Sequence, residues 1–428
     1  MKKIKVVYIC HFSTKRIRQH LSLKSFRVGN LLRKIWRKPP LMYNDFGVWN
    51  ADFIEAFVNN TNYECHVISH HLGMVKKNQY FSLNGISFHF IQEKENLTCK
   101  IIDTICKRNH KQELEAPAQR IKKVVEAIQP DIVVVCGAEN PIYSSSVLMI
   151  NKLPVFVILQ TLLNDSKRIG MGIGNALRRE LEKKIFATAG YFGTLNLSEK
   201  EFILEQNPQA TCLKIIFPSS CPEEHEDVSK EFDFVFFANG LSRNKGVEDA
   251  LSAFATVVSH HPSATLNIIG NCSEEYKNRL INIIEENGMS NNVTFHGHFP
   301  SRNDLIKQVK KARIAVLPGI TALLNSTVRE VMMLGIPAVV YETSATNVIN
   351  ANSQNLLVAK MENITDLGGK LLFAYEHPQE MTEMARRAQQ YAQSTFTVEA
   401  VARTLDADIM AIVNNYYHQT PIPEVLKL

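Results

Sequence analysis

The chain has 428 residues, 45% of them hydrophobic and 21% charged, with 48 Lys and Arg against 42 Asp and Glu. That balance is ordinary for a globular protein and excludes disordered and fibrous classes, while no apolar run approaches the ~18 residues of a membrane span. The basic excess sits at one end: residues 1–40 hold twelve Lys and Arg and no acid, so the remaining body is slightly acidic and a nucleic-acid-binding surface along the whole chain is excluded. The length suits two domains. Met1-Lys-Lys looks like the start of a signal peptide, but the apolar stretch 6–10 is about half of what an h-region needs. The eight cysteines include no C-x-x-C pair, which predicts buried thiols in a reducing cytoplasm and no structural zinc.

The first predicted strand, 4–10, is an apolar run that ends at His11. Between it and Asp45 lies an insert, 15–38, in which Ile17, Leu21, Val28, Leu32 and Ile35 share one helical face. Lys and Arg surround that face, Trp36 borders it, and Gly29-Asn30 interrupts it. Such a basic amphipathic helix lies on an anionic leaflet, each nearby cation contributing about 1 kcal/mol, or embraces a lipid diphosphate. The alternative is a helix docked on the sheet with its cations in water. Further strands are predicted at 64–69, 86–90, 131–135, 155–159 and 190–194, alternating with helix-period segments as in parallel sheets covered on both faces. Gly137, Glu139 and Asn140 fall on the loop after one of these strands and Gln160-Thr161 after the next, at carboxyl ends where open α/β sheets bind ligands.

Residues 217–231 are rich in Pro and acids, without periodicity, and form the predicted linker. A second set of strands follows at 232–238, 264–269, 292–295, 314–317, 338–341 and 356–358. The first runs into Asn239-Gly-Leu-Ser-Arg-Asn-Lys-Gly-Val, a strand–turn–helix that offers backbone N–H groups, Arg243 and Lys245 to a phosphate. The alternative is a solvated loop with two surface cations. The strand 314–317 ends at Pro318-Gly319. After it Asn325-Ser326-Thr327 caps a helix, and Glu330 falls in about its first turn, where a carboxylate can accept two ribose hydroxyls while the cap's N–H groups face a phosphate. The alternative is a Glu that only complements the helix dipole. Met381, Met384, Ala388 and Tyr391 mark the first of two tail helices, 379–396 and 398–416.

Together these segments resemble the nucleotide-binding domain of the GT-B glycosyltransferases, in the large retaining family that uses nucleotide-sugar donors (family 4, group 1 type). The matching runs are 242–247, with its Lys-Gly, Asn292-Val-Thr-Phe-His-Gly-His-Phe-Pro-Ser, and Glu330-Val-Met-Met-Leu-Gly-Ile-Pro-Ala-Val-Val. The likeness covers essentially the second half, in order and spacing. It implies an α/β chain of two doubly wound Rossmann-like domains facing across a cleft: 1–216, a linker 217–231, 232–396, and a helix 397–428 that packs back toward the first domain.

Carried over residue by residue, the resemblance gives Lys245 the donor diphosphate, with Arg243 as a substitute for the family's Arg, which falls at Gly240. Glu330 takes the ribose, the backbone of Gly297 and His298 sits by the base, and Gly319, Asn325, Ser326 and Thr327 join the donor site. The family's first Glu falls at Ala322. In the first half, Asp45-Phe-Gly-Val-Trp-Asn is similar to the turn that approaches the donor phosphates, with Gly47 at closest approach. Pro130-Asp-Ile-Val-Val-Val-Cys-Gly resembles a family run in which Val134 and Cys136 replace two histidines. His11, Glu139, Asn140 and Gln160 are then the acceptor-side candidates, His11 being equally readable as structural.

The function this implies is transfer of a sugar from a nucleotide-sugar to a glycan or lipid-linked glycan, with retention, as in polysaccharide biosynthesis. No cofactor or metal is expected. The location is cytoplasmic, with peripheral membrane contact through 15–38. The rival readings are a sugar-nucleotide epimerase or hydrolase on the same fold and a non-catalytic partner subunit.

Overall fold

The structure, a computed structural model, describes residues 3–36, 40–58, 62–93, 110–170, 175–219, 228–299, 301–320 and 324–428. Most of the predicted linker, Cys99, Cys106, Cys221 and Ala322 lie outside these residues, as do the insert's Arg37 and Lys38. The chain divides into two compact units, Met1–Leu195 with Glu199–Pro218 and Val401–Leu428, and Asn196–Ser198 with Ser219–Ala400.

In chain order the first unit contains β1 (Ile4–Ile9), α1 (Lys15–Arg18), α2 (Arg27–Ile35), α3 (Val48–Glu55), β2 (Tyr63–His71), β3 (Asn78–Leu83), β4 (Ile86–Gln92), α4 (His110–Ile128) and β5 (Ile132–Cys136). It continues with β6 (Val155–Ile158), α5 (Ser166–Gly170), α6 (Ala176–Thr188), β7 (Tyr191–Thr194), α7 (Leu197–Gln206) and β8 (Thr211–Lys214). The strands form one sheet in the order β3-β4-β2-β1-β5-β6-β7-β8. Every pairing is parallel except β3 with β4. Val133, Val135, Val157 and Phe192 are buried on the central strands, under Leu181, Ile185 and Phe186 of α6, which is why those strands read as unbroken apolar runs.

Two strands have no counterpart in the predicted set. β3 alternates half-buried and exposed residues, the pattern of a one-sided edge strand. It joins β4 through Asn84-Gly85, both at positive φ (52° and 76°), the chemistry of a two-residue hairpin. β8 has only four residues, too few for a period to show. The insert also differs from the single helix expected. Thr14 caps the one-turn α1, accepting from Ile17 N at 3.3 Å, and Ile17 and Leu21 are buried. The backbone then leaves the helix to bond the loop after β2, through Lys24 N to Gly73 O (2.8 Å) and Val75 N to Ser22 O (2.9 Å). Only α2 is left to carry Leu32 and Ile35. Of the insert's first cations Lys15 and Arg16 are exposed, Arg16 3.8 Å from Glu55, while Arg18 is largely covered and lies 2.7 Å from Asp45.

The second unit contains β9 (Phe232–Gly240), α8 (Val247–His260), β10 (Leu266–Asn271), α9 (Glu274–Glu286), β11 (Val293–Gly297), α10 (Arg302–Lys310) and β12 (Ala312–Val316). After these come α11 (Ser326–Met333), β13 (Ala338–Tyr341), α12 (Ser344–Asn350), β14 (Leu357–Ala359), α13 (Ile364–Glu376) and α14 (Pro378–Thr395). Its six strands are all parallel, in the order β11-β10-β9-β12-β13-β14.

The last long helix, α15 (Val398–His418), returns the chain to the first unit. There Tyr191 OH donates to Asn415 Oδ1 (2.7 Å), Tyr417 OH to Asp131 O (3.2 Å), and Leu428 N to Cys212 O (3.0 Å).

Asp408 on α15 is fully buried, and neither carboxylate oxygen accepts a hydrogen bond among the described residues. Burial raises its carboxyl to about 8. A carboxyl whose folded value lies above its unfolded one stabilises the fold fully below the unfolded value, about 4, and loses that contribution as pH rises through the folded one. Stability is therefore expected to fall between pH 4 and pH 8, by up to about 1.4 kcal/mol per pH unit from this group. Thermal melts of Asp408→Asn across that range should be flatter than those of the wild type; parallel curves would rule Asp408 out as the source.

Candidate functional site

In each unit the direction of strand succession reverses once. In the second unit this happens between the neighbours β9 and β12, and in the first between β1 and β5. The crevice at the carboxyl ends of such a pair is where open α/β sheets bind ligands.

At the β9/β12 point, β9 runs through Leu241 and Ser242 into a 3-10 turn, Arg243–Lys245, and Gly246 opens α8. Gly246 is in the left-handed region (φ 81°), and a Cβ on it would lie 1.8 Å from Pro318 O. Only glycine lets this turn rest against the end of β12, where Ile320 N donates to Asn244 O at 3.2 Å. Beside this contact lies a small recess of about 70 Å³, walled by Phe237, Asn239, Lys245, Asn325, Ser326 and Thr327 among others. Ligand pockets run from about 300 Å³ upward, so this recess suits one phosphoryl group rather than a whole nucleotide.

The recess thus brings together four of the residues singled out in the sequence, Lys245, Asn325, Ser326 and Thr327. The helix start sits as expected, with one difference: Asn325 holds the N-cap position of α11 in extended backbone but makes no side-chain cap bond. The first N–H groups of α11 are thereby left to other acceptors, the arrangement that attracts anions.

Other candidates fall elsewhere. Arg243 does not line the recess; its guanidinium turns to Glu248 Oε2 at 3.2 Å and Asp249 Oδ1 at 3.7 Å. Of the two cations expected on a phosphate, Lys245 lines the recess and Arg243 does not. Glu330 is the fifth residue of α11, just past its first turn, and outside the recess lining. It is mostly buried and meets Arg302 Nη2 at 3.3 Å. Burial raises its carboxyl, and Arg302 and Arg329 oppose that shift. Gly319 lies between β12 and the N-cap residue Asn325. Gly240 has open space, with its nearest contact 4.0 Å away at Asn271 O, so sterics do not require a glycine there. Gly297 has positive φ (67°) and an open side, and the exposed His298 follows it at the end of β11.

At the β1/β5 point of the first unit, His11 follows β1 and Gly137 follows β5. Gly47, left-handed at φ 59°, opens α3 with its α-carbon against His11 O, where a Cβ would lie 2.4 Å away. Asn50 Nδ2 donates to the same carbonyl at 3.3 Å. Gly47 is thus required by local packing, independently of any ligand. Burial, and then the nearby His71, lower His11 to about 4, so its ring is neutral at pH 7, 3.9 Å from Glu93 Oε2. Its ring lies 4.6 Å from that of Phe46 and 6.4 Å from that of Tyr143.

Gly137 (φ 83°) sits under Glu139 Oε2 and Gln160 Nε2, which would meet a Cβ at 2.6 and 2.8 Å. Gln160 Nε2 donates to Cys136 O (3.0 Å) and Tyr143 OH (3.1 Å). Glu139 is buried, with Oε1 3.5 Å from Arg178 Nη2 and Oε2 without a hydrogen bond among the described residues. Burial raises its carboxyl to about 7 even with Arg178 beside it. Asn140 does not join this group in the same way, because its Oδ1 accepts from Ile142 N (2.9 Å) in a local turn.

Sequence reasoning missed Tyr143, Arg178, Glu182 and Glu199. The last three are helix residues that reach the strand ends only through tertiary packing. Burial raises Glu199 to about 7, with Thr194 opposing, and Glu182 and Glu139 are among the charges that act on it. Among the described residues no group of three or more His, Cys, Asp or Glu is placed to hold a metal ion, and no helix is long and apolar enough to cross a membrane.

Residues 223–395 match the family model described as Glycosyl transferases group 1. No curated protein matches the chain significantly. Among solved structures, a glycosyltransferase from Rickettsia africae ESF-5 superposes with a TM-score of 0.63 at 13% identity, covering 98% of this chain and 100% of its own. Anabaena Alr3699/HepE in complex with UDP and glucose gives 0.62 at 12%, covering 95% and 99%. The structure described as trehalose-6-phosphate from Escherichia coli bound with UDP-2-fluoro glucose gives 0.63 at 9%, covering 95% and 98%. At these identities the likeness is one of fold, and the fold is GT-B.

Proposed function

We propose that this GT-B chain, whose second unit carries the group 1 match, is a glycosyltransferase moving a sugar from a nucleotide-sugar to a glycan or lipid-linked glycan with retention of configuration. The observation that carries the reading is the recess at β9/β12, where an ammonium group and a helix start converge on a space of phosphoryl size. In this reading Lys245 and the N–H groups of α11 stabilise the departing diphosphate, meeting its charge without a divalent ion. Glu330 takes the ribose, and the backbone beside His298 borders the base. The acceptor hydroxyl is bound at the β1/β5 end of the first unit among His11, Glu139 and Gln160, where the neutral His11 and Glu139, its carboxyl raised by burial, can exchange hydrogen bonds with a sugar. UDP is the nucleotide to test first, because the Anabaena and Escherichia coli neighbours were solved with UDP or a UDP-sugar.

The test is a thermal-shift panel of nucleoside diphosphates and nucleotide-sugars, since a ligand that binds only the folded state raises the melting temperature. A shift with one base, followed by product formation with the matching nucleotide-sugar, supports the assignment. A flat response across the panel at high concentration would instead favour a scaffold that has lost its donor site.

The same proposal places the enzyme in the cytoplasm, in peripheral contact with an anionic membrane through α2. Leu32, Ile35 and Trp36 on and after this helix are 47%, 69% and 66% exposed, alongside Arg27, Arg33 and Lys34 and no acid. An apolar ridge flanked by cations is the composition of an interfacial helix. Binding to phosphatidylserine-containing vesicles is expected to fall at least tenfold in Ile35→Glu/Trp36→Glu and to weaken with salt. Vesicle binding unchanged in that variant would refute the placement.

A further inference from the structure

The turn that presents Lys245 is fastened from behind by the N-terminal end of α8. Glu248 and Asp249 occupy the first turn of this helix, and both are nearly fully buried, at 4% and 3% exposure. Buried carboxylates persist only where donors surround them, and these two are well supplied. Glu248 Oε1 accepts from Tyr276 OH at 2.8 Å; Glu248 Oε2 accepts from Arg279 Nη2 at 2.9 Å and from Arg243 Nη1 at 3.2 Å. Asp249 Oδ2 accepts from the buried Tyr341 OH at 2.9 Å, and its Oδ1 faces Arg243 Nη1 at 3.7 Å.

Arg243 and Lys245 are the first and last residues of one 3-10 turn, so fixing one end of it limits where the other can go. The far side of the turn is fixed too, by Gly246 against Pro318 and by the bond from Ile320 N to Asn244 O. The carboxylates themselves are held by α9 (Tyr276, Arg279) and β13 (Tyr341), elements that lie outside the recess lining.

We infer that Glu248, with Asp249 behind it, is a positioning residue that holds Lys245 over the phosphate recess through Arg243, and that Arg243 acts as the link in this clamp rather than as a phosphate ligand. The inference rests on the reading of the recess as a donor diphosphate site. It separates two roles for Arg243 that the residue's identity alone leaves open. If Glu248 and a phosphate competed for the guanidinium, removing the Glu248 charge would free Arg243 and tighten phosphate binding. If Glu248 positions the turn, removing its charge loosens Lys245 and weakens binding. The sign of one substitution decides between them.

The experiment is calorimetric titration of UDP into full-length wild type, Glu248→Gln, Arg243→Met and the double variant, at a temperature where all four are folded. Each single variant is expected to weaken UDP binding about tenfold, and the pair to weaken it by about the same factor rather than a hundredfold, because the two act through one contact. Tyr276→Phe, which removes only the bond to the far oxygen, should shift the dissociation constant in the same direction by about two- to threefold. It also serves as the test should Glu248→Gln not fold. A purely structural role would lower the melting temperature and leave the UDP dissociation constant unmoved. Tighter or unchanged binding in Glu248→Gln, or effects that multiply in the double variant, would overturn the inference. If the wild type binds no nucleoside diphosphate, the donor-site reading and its role for the clamp fall together. A clamp failure is different: UDP still binds, and only the pattern among the variants changes.

Discussion

Gly246→Ala is expected to cost the second unit about 2–4 kcal/mol and to abolish measurable donor binding. A non-glycine residue at positive φ costs roughly 1–2 kcal/mol by itself. The remainder comes from contact: the added Cβ would lie 1.8 Å from Pro318 O and 2.6 Å from Pro318 C, both backbone atoms that no rotamer change can move aside. Either the turn or the end of β12 must shift, and the neighbours of both, Lys245 and Leu317, line the recess. For a unit of this size each kcal/mol lowers the melting temperature by about 2–4 °C, so a drop of several degrees is the first readout. Wild-type melting and wild-type UDP affinity in Gly246→Ala would mean that the turn does not rest on β12.

Lys245→Ala has the opposite profile, a large loss of function with little loss of stability. The side chain lines the recess, so its truncation removes a cation without opening a core cavity. A charge-assisted hydrogen bond to phosphate contributes about 1.5–3 kcal/mol, which predicts a UDP dissociation constant raised about 10- to 100-fold. If negative charge grows on the diphosphate as the sugar departs, the loss in kcat/KM should be larger, about 10²- to 10³-fold. Steady-state kinetics with the nucleotide-sugar found in the panel would separate the two, and unaltered kinetics would remove Lys245 from the donor site.

The two-domain α/β architecture was legible because central parallel strands are buried on both faces and read as continuous apolar runs. Lys245 and the start of α11 were legible for a related reason. A strand, a glycine-bearing turn and a helix follow one another directly in sequence, so their joint geometry is local. Non-local contacts were not. Glu182 and Glu199 reach the strand ends of the first unit only through tertiary packing, and Arg243 looks like Lys245's equal until Glu248 beside it is held by Tyr276 and Arg279 from the next helix. The split of the insert at 22–24 depends on backbone bonds to residues 73–75, about fifty positions away. β3 is a different kind of miss, because its Asn84-Gly85 signal is local and was there to be read.

The return of α15 to the first unit has a consequence for the order of assembly. Residues 401–428 belong to the first unit but follow the whole of the second in sequence. During synthesis the second unit has all of its strands before the first can seat its last helix. Until then the cover supplied by α15 over Tyr63, Tyr191 and Asp131 is missing, and the outer edge of β8, later bridged by Lys427 to Leu213, stays open to wrong partners. The half of the protein made first is thus the half finished last.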